Sequence, residues 1–243
     1  MVRYGLAISR FTLLLSIAIF GACKPAPQQS AAKKPAGPTV RATVVTIRTT
    51  MKPEARTQTR SLVIAGGRAR DTGERDVWRL FDTKTETVTF VDDIARTFRT
   101  ESLQTLLAQR RAITANGLPS HYPRVRVERP GTTRAIHGVT AELMKIDGGA
   151  YKRELWIGEH PSIPRGLFAM MYASEPPTQP LAPMMRAVDE AFLATRGFPL
   201  ADHATLPMSN DELIVDRFVV GIAVRDVPQA LLAIPKGYHD AAR

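Results

Sequence analysis

The chain of 243 residues has a single cysteine, Cys23, and that scarcity removes whole classes of function. No internal disulfide is possible, and neither is a Cys-based zinc or redox motif. Histidine is also sparse. The five (His121, His137, His160, His203, His239) are scattered, with no H-x-x-x-H pair to suggest a metal centre. No G-x-S-x-G elbow occurs, and Gly66-Gly67 is not followed by the G-K-[ST] of a phosphate loop. The sequence therefore assigns no catalytic residue, no metal and no cofactor. Long apolar runs are missing too. The most apolar stretch, Phe11 to Ala22, is about a dozen residues, whereas a membrane-spanning helix needs roughly 20.

Acids are outnumbered by bases, 23 to 33, which gives a formal net charge of +10 and an isoelectric point near 10.2. Arg3 and Arg10 supply two of those charges. Through residues 68–79 the bases alternate with acids, as in Arg68, Arg70, Asp71, Glu74, Arg75, Asp76 and Arg79. Interleaving of this kind reads as a solvated surface and not as a nucleic-acid face, so no nucleic-acid partner is assigned. The hydrophobic fraction of 44% and mean hydropathy of −0.12 are those of a soluble globular domain.

The N-terminus has the three-part order of an export signal. Arg3 and Arg10 precede the apolar stretch, which ends in Phe20-Gly21-Ala22-Cys23. That ending resembles a lipobox, the site at which bacterial lipoproteins are cleaved and the new N-terminal cysteine is acylated; Phe20 departs from the usual Leu. On this reading residues 1–22 are a signal peptide and Cys23 is the lipidation site. Two or more acyl chains there give stable attachment, because each buried CH₂ contributes about 0.8 kcal/mol. Residues 23–39 follow as a lipidated tether whose Pro, Ala, Gln and Lys content buries too little surface to order it. Lys24, directly after the cysteine, resembles the outer-membrane-destined class. The expected location is the bacterial cell envelope, facing the periplasm, with the outer membrane favoured over the inner.

The folded part is expected over residues 40–243 as a single α+β domain. Its first half is dense in Val, Ile and Thr, with strands expected at 40–51, 62–65, 77–81, 87–91 and 95–100. Asp82-Thr83-Lys84-Thr85 has hairpin-loop length. Asp92-Asp93 lies at a strand end, where a turn is the expected role; adjacent strand residues point to opposite faces and do not share a site. Helical spacing of Leu103, Leu106 and Leu107 predicts a helix over 101–115, capped by Ser102 or Thr100. Strands return at 125–129, 135–146 and 151–157, the last two joined by Asp147-Gly148-Gly149. Helices are expected at 167–172 and 183–195, with Met184, Val188, Ala191 and Phe192 on one face. Final strands are expected at 213–224 and 231–234. The large aromatics Trp78, Phe90, Phe98 and Trp156 are candidates to line a ligand cavity, although core packing is the commoner role for such residues.

The order of several short motifs carries a resemblance. Asp82, Thr97-Phe98, Gly138, Glu154-Leu155-Trp156, Gly197-Phe198-Pro199-Leu200 and the terminal Pro235-Lys236-Gly237-Tyr238 resemble a bacterial family of exported proteins built on a domain of unknown function. That family in turn looks like the outer-membrane lipoprotein carrier superfamily. The resemblance spans most of residues 60–240. It implies a curved antiparallel sheet forming a half-open barrel, with two or three helices on its concave side and no catalytic machinery. The function it implies is binding of a lipid, lipoprotein or other hydrophobic ligand in the concavity. A structural or assembly partner in the envelope is the alternative, and a hydrolase is third. An apolar cavity of several hundred Å³ would favour the first, a filled interior with an exposed apolar patch the second, and a cleft with convergent titratable groups the third.

Overall fold

The computed structural model of the protein describes residues 37–74, 76–114, 125–149, 151–175, 185–207 and 212–241. The expected signal peptide, Cys23, most of the expected tether, and Pro183-Met184 of the third expected helix lie outside them. The described residues belong to one compact unit, Pro35–Arg243.

That unit is an open, mostly antiparallel sheet with three helices. Its strands are β1 (Thr39–Lys52), β2 (Arg56–Ala65), β3 (Arg68–Glu74), β4 (Val77–Asp82), β5 (Thr87–Asp92), β6 (Thr97–Ser102), β7 (Arg126–Glu128), β8 (Thr133–Ile136), β9 (Val139–Gly148), β10 (Tyr151–Gly158), β11 (Phe198–Pro207), β12 (Glu212–Pro228) and β13 (His239–Asp240). The helices are α1 (Leu103–Thr114), α2 (Leu167–Ala173) and α3 (Met185–Leu193). The sheet runs in the order β13-β6-β5-β4-β3-β2-β1-β12-β11-β10-β9-β7, with β8 paired to β9; only β13 runs parallel to its neighbour.

Local chemistry explains the meander β1 to β6. Two hairpins repeat one solution ten residues apart. Asp82 Oδ1 accepts from the amides of Lys84 and Thr85, and Asp92 Oδ1 accepts from those of Ile94 and Ala95. Each loop then closes through a residue at positive φ, Glu86 at 52° and Arg96 at 51°. An Asp side chain that copies a backbone turn is the expected device here. Ser102 caps α1, accepting from the Thr105 amide at 3.0 Å.

The join between the two halves is not local. β1 pairs with β12 from Thr39↔Pro228 to Lys52↔Ile214, with a register shift between Thr46 and Ile47. It unites the β2–β6 meander with the β12-β11-β10-β9 run. Strand alternation then gives the sheet two apolar faces. One is packed under the helices and centres on Val45, Leu62, Phe81, Met144, Leu155, Leu167 and Phe192. The other holds Ala42, Val44, Val63, Trp78, Leu80 and Val91, covered by the returning C-terminal segment through Leu231, Leu232 and Tyr238.

Four expectations change. The run 135–146 is two strands, broken by a turn at His137 (φ 50°) and Gly138 (φ 73°). Residues 231–234 do not form a strand; Gln229–Leu232 is a 3-10 turn that lays Leu232 onto the second core. The charged stretch 68–74 forms strand β3; Arg68 and Thr72 are exposed as a solvated surface requires, but Asp71 is 1% exposed, held by Arg79 and Arg60. Strand β11 was unexpected, since Gly197 and Pro199 read as a helix terminator.

Candidate functional site

Under α2 the helix-bearing face leaves a cavity of about 180 Å³. Its floor is β2, β1, β12, β11 and β10 in sheet order; its roof is α2, with Arg110 reaching in from α1. Period-two alternation selects the floor. Val215, Arg217 and Val219 on β12 share one side, as do Asp202, Ala204 and Leu206 on β11 and Tyr151 and Arg153 on β10. The lining is amphipathic. Ile47, Phe168, Met171 and Val219 are apolar, while Arg60, Arg110, Arg153 and Arg217 face two carboxylates, Asp202 and Glu175.

The charges are organised into Arg–Asp–Arg groups. Asp202 is 4% exposed and accepts two bonds from Arg153, Nε and Nη2 each at 2.7 Å, and a third from Arg217 Nη1 at 3.0 Å. Burial opposes the charged form of Asp202, but the two guanidinium groups outweigh it and hold its carboxyl below the ordinary range. The same balance raises Arg153: burial works against its charge, and Asp202 more than compensates. On the other side of β1, Asp71 accepts from Arg79 Nη2 at 2.7 Å and Arg60 Nη1 at 3.3 Å.

The roof is tied down by a second network. Arg110, 4% exposed, donates from Nε to Asp189 Oδ1 at 2.7 Å and from Nη1 to the Glu175 carbonyl at 2.7 Å. The Tyr172 hydroxyl also donates to Asp189 Oδ1, at 2.7 Å, so one carboxylate joins all three helices. Burial is the main reason the Tyr172 hydroxyl is pushed well above the ordinary phenol range. Arg79 Nη1 donates to Ser174 Oγ at 2.9 Å, fastening the end of α2 to β4. A cation at the C-terminal end of a helix also complements its dipole.

No protein-family model and no curated protein matches the chain. Two solved structures of PNGF-II, in space groups C2 and P21, align with it at 8% and 10% identity, with TM-scores of 0.44 and 0.39. They cover 83% and 84% of this chain, which spans only 30% and 32% of theirs.

None of the four aromatics singled out in the sequence lines the cavity. Trp78 is buried on the opposite face, where Phe98 packs beside it; its Nε1 donates to Asp93 at 2.9 Å, and the Arg70 guanidinium lies 3.8 Å from its ring centroid. Phe90 and Trp156 pack at the margin of the larger core under Arg99 and Arg134. The reason is strand phase, since Trp78 and Phe98 both pair with Val91 on the far side of the sheet. Cys23 lies outside the described residues. The Asp92-Asp93 pair takes the expected turn role, with Asp93 additionally holding Trp78. Missed by the sequence reading were Arg60, Arg153, Asp202 and Arg217. One signal was available: Arg217 occupies the inward phase of Val215-x-Arg217-x-Val219, where an apolar residue is expected. Among the described residues, no group of three His, Cys, Asp or Glu is placed to hold a metal ion.

Proposed function

We propose that this protein is a bacterial envelope lipoprotein, held at a membrane through acylated Cys23, that binds a small hydrophobic or lipid-derived ligand without performing chemistry on it. The observation that supports the reading is the cavity between the sheet and α2, which is apolar over much of its lining yet carries a few fixed polar groups, the usual make-up of a ligand site. Its volume falls short of the several hundred Å³ expected for a carrier and sets the scale. A cavity of about 150 Å³ accommodates a benzene ring, so 180 Å³ suits one ring or a short alkyl chain and not a whole acyl chain. The expected half-open barrel belongs to the same proposal. In support of it, the β8–β9 turn folds back far enough for His137 Nε2 to lie 2.6 Å from the Val219 carbonyl oxygen of β12, three strands along the sheet from β9.

The direct test is native mass spectrometry of the full chain purified in a neutral detergent, paired with solvent extraction. A co-purifying small hydrophobe at near-stoichiometric level is the expected result. Absence of any ligand from both measurements would remove the binding reading.

A further inference from the structure

The helix-bearing face carries a belt of alternating charge with one member missing. Across β4, β3 and β2 it reads Arg79, Asp71, Arg60; across β12, β11 and β10 it reads Arg217, Asp202, Arg153. Each aspartate is flanked by two arginines. Between the two groups runs β1, whose residues paired with Arg60 and Arg217 are Ile47 and Thr49. Neither is charged, so two arginines flank β1 with no anion between them.

Further observations converge on that gap. Arg60 and Arg217 both line the cavity, so the gap opens into it and is not filled by packing. The Nε of Arg60 is buried and has no hydrogen-bond partner, an arrangement that costs free energy unless something accepts from it. Arg217, with five N–H donors, makes a single bond among the described residues, Nη1 to Asp202. The acids on the lining are already engaged: Asp202 accepts three bonds, and Glu175 is held 3.7 Å from Arg79 at the β4 side. With Asp71 and Asp189, which pair with Arg60 and Arg110 from just outside the lining, and with Arg79, five arginines face four carboxylates, an excess of one positive charge.

We propose that the ligand is a small amphipathic carboxylate, whose oxyanion sits between Arg60 and Arg217 over β1 and whose apolar part lies against Phe168, Met171 and Val219. The inference rests on the reading of this cavity as a ligand site. Arg60 and Arg217 stand two strands and two residues apart, roughly 10 Å across the sheet and about 7 Å along it, and their long side chains both reach over β1, so that one carboxylate accepts charge-assisted bonds from a guanidinium on each side. Its charge restores the alternation that Asp71 and Asp202 begin.

The test is calorimetric titration of the full chain in a neutral maltoside detergent with three probes of matched chain length: hexanoate, hexanamide and hexyl phosphate. Hexanoate is expected to bind at least tenfold more tightly than hexanamide, and Arg60→Gln and Arg217→Gln each to weaken hexanoate roughly tenfold while leaving hexanamide unchanged. Equal affinity for hexanoate and hexanamide overturns the carboxylate assignment while leaving the cavity a site for neutral hydrophobes. So does an Arg217→Gln protein that folds and binds hexanoate as the wild type does. Tighter binding of hexyl phosphate than of hexanoate also overturns it, in favour of a phosphate ester. Failure of all three probes overturns the ligand-site reading beneath it. Should either arginine variant not fold, the wild-type comparison of hexanoate with hexanamide decides alone.

Discussion

The Tyr238 hydroxyl donates to Asp93 Oδ1 at 2.9 Å, the same oxygen that accepts from Trp78 Nε1 at 2.9 Å. One carboxylate thus ties the end of the chain to a buried indole on β4. The C-terminal segment then continues into β13, where the His239 amide bonds the Arg96 carbonyl at 3.0 Å. The hydrogen bond to Asp93 is also the main reason the Tyr238 hydroxyl is raised above the ordinary phenol range.

From this follows a ranking of two substitutions. Asp93→Ala leaves the N–H of Trp78, 3% exposed, without an acceptor and is expected to destabilise by about 1–3 kcal/mol. Tyr238→Phe leaves the indole bond intact and should cost less. Urea denaturation followed by tryptophan fluorescence measures both; a larger loss for Tyr238→Phe would contradict the arrangement.

The helix junction gives a larger effect. Asp189→Ala removes the carboxylate that the buried Arg110 guanidinium and the Tyr172 hydroxyl share, leaving Arg110 with carbonyl acceptors in place of its charged partner, so a loss of about 3–5 kcal/mol is expected. Thermal unfolding by circular dichroism reads it. A change within experimental scatter would mean that Arg110 finds full compensation elsewhere.

Asp202 makes a pH prediction. Its folded pKa lies below the unfolded value of about 3.9. The stability it contributes is therefore fully present above that value and is lost as the pH falls through the folded pKa. Stability of the wild type is expected to fall on acidification below about pH 4, and Asp202→Asn to flatten that part of the profile while lowering stability at pH 7. Denaturation midpoints measured from pH 2 to pH 7 test both; parallel profiles for the two proteins would exclude the assignment.

Gly197 explains part of a sequence motif. A Cβ there would lie 2.8 Å from Ile157 Cγ2 and 2.9 Å from the Gly158 carbonyl oxygen, so β11 can start beside β10 only with glycine at this place. Gly197→Ala is expected to cost about 1–3 kcal/mol through overpacking. An alanine variant as stable as the wild type in urea would show that the two strands can separate freely at this end.

For the anchor, Cys23→Ser is expected to move the protein from the membrane pellet to the soluble fraction and to abolish incorporation of labelled palmitate. Continued partitioning with membranes would rule out acylation as the means of attachment.

Much of the fold was legible because its signals are local. The Asp82 and Asp92 turns, the Ser102 cap and the Asp147-Gly148-Gly149 hairpin each depend on a few neighbouring residues. β3 was illegible because its charged residues carry the composition of a surface, and Asp71 is buried through pairing with Arg79 and Arg60 on the neighbouring strands, which no local pattern shows. The cavity was illegible for a related reason. Arg60, Arg153 and Arg217 look like any exposed arginine until three different strands bring them under one helix.

The sequence by itself determined the type and approximate place of most strands and helices, that the first half is a β meander, and that Cys23 ends a segment resembling a lipobox. These follow from side-chain periodicity and turn chemistry over spans of a few residues. Only the tertiary structure decided which phase of each strand faces the helices, because β1 must pair with β12 from the far end of the domain before either side becomes an interior. That one long-range pairing sets Arg60 and Arg217 on the two sides of Ile47 and Thr49, and so makes an uncharged gap between two arginines out of residues that are unremarkable in the sequence.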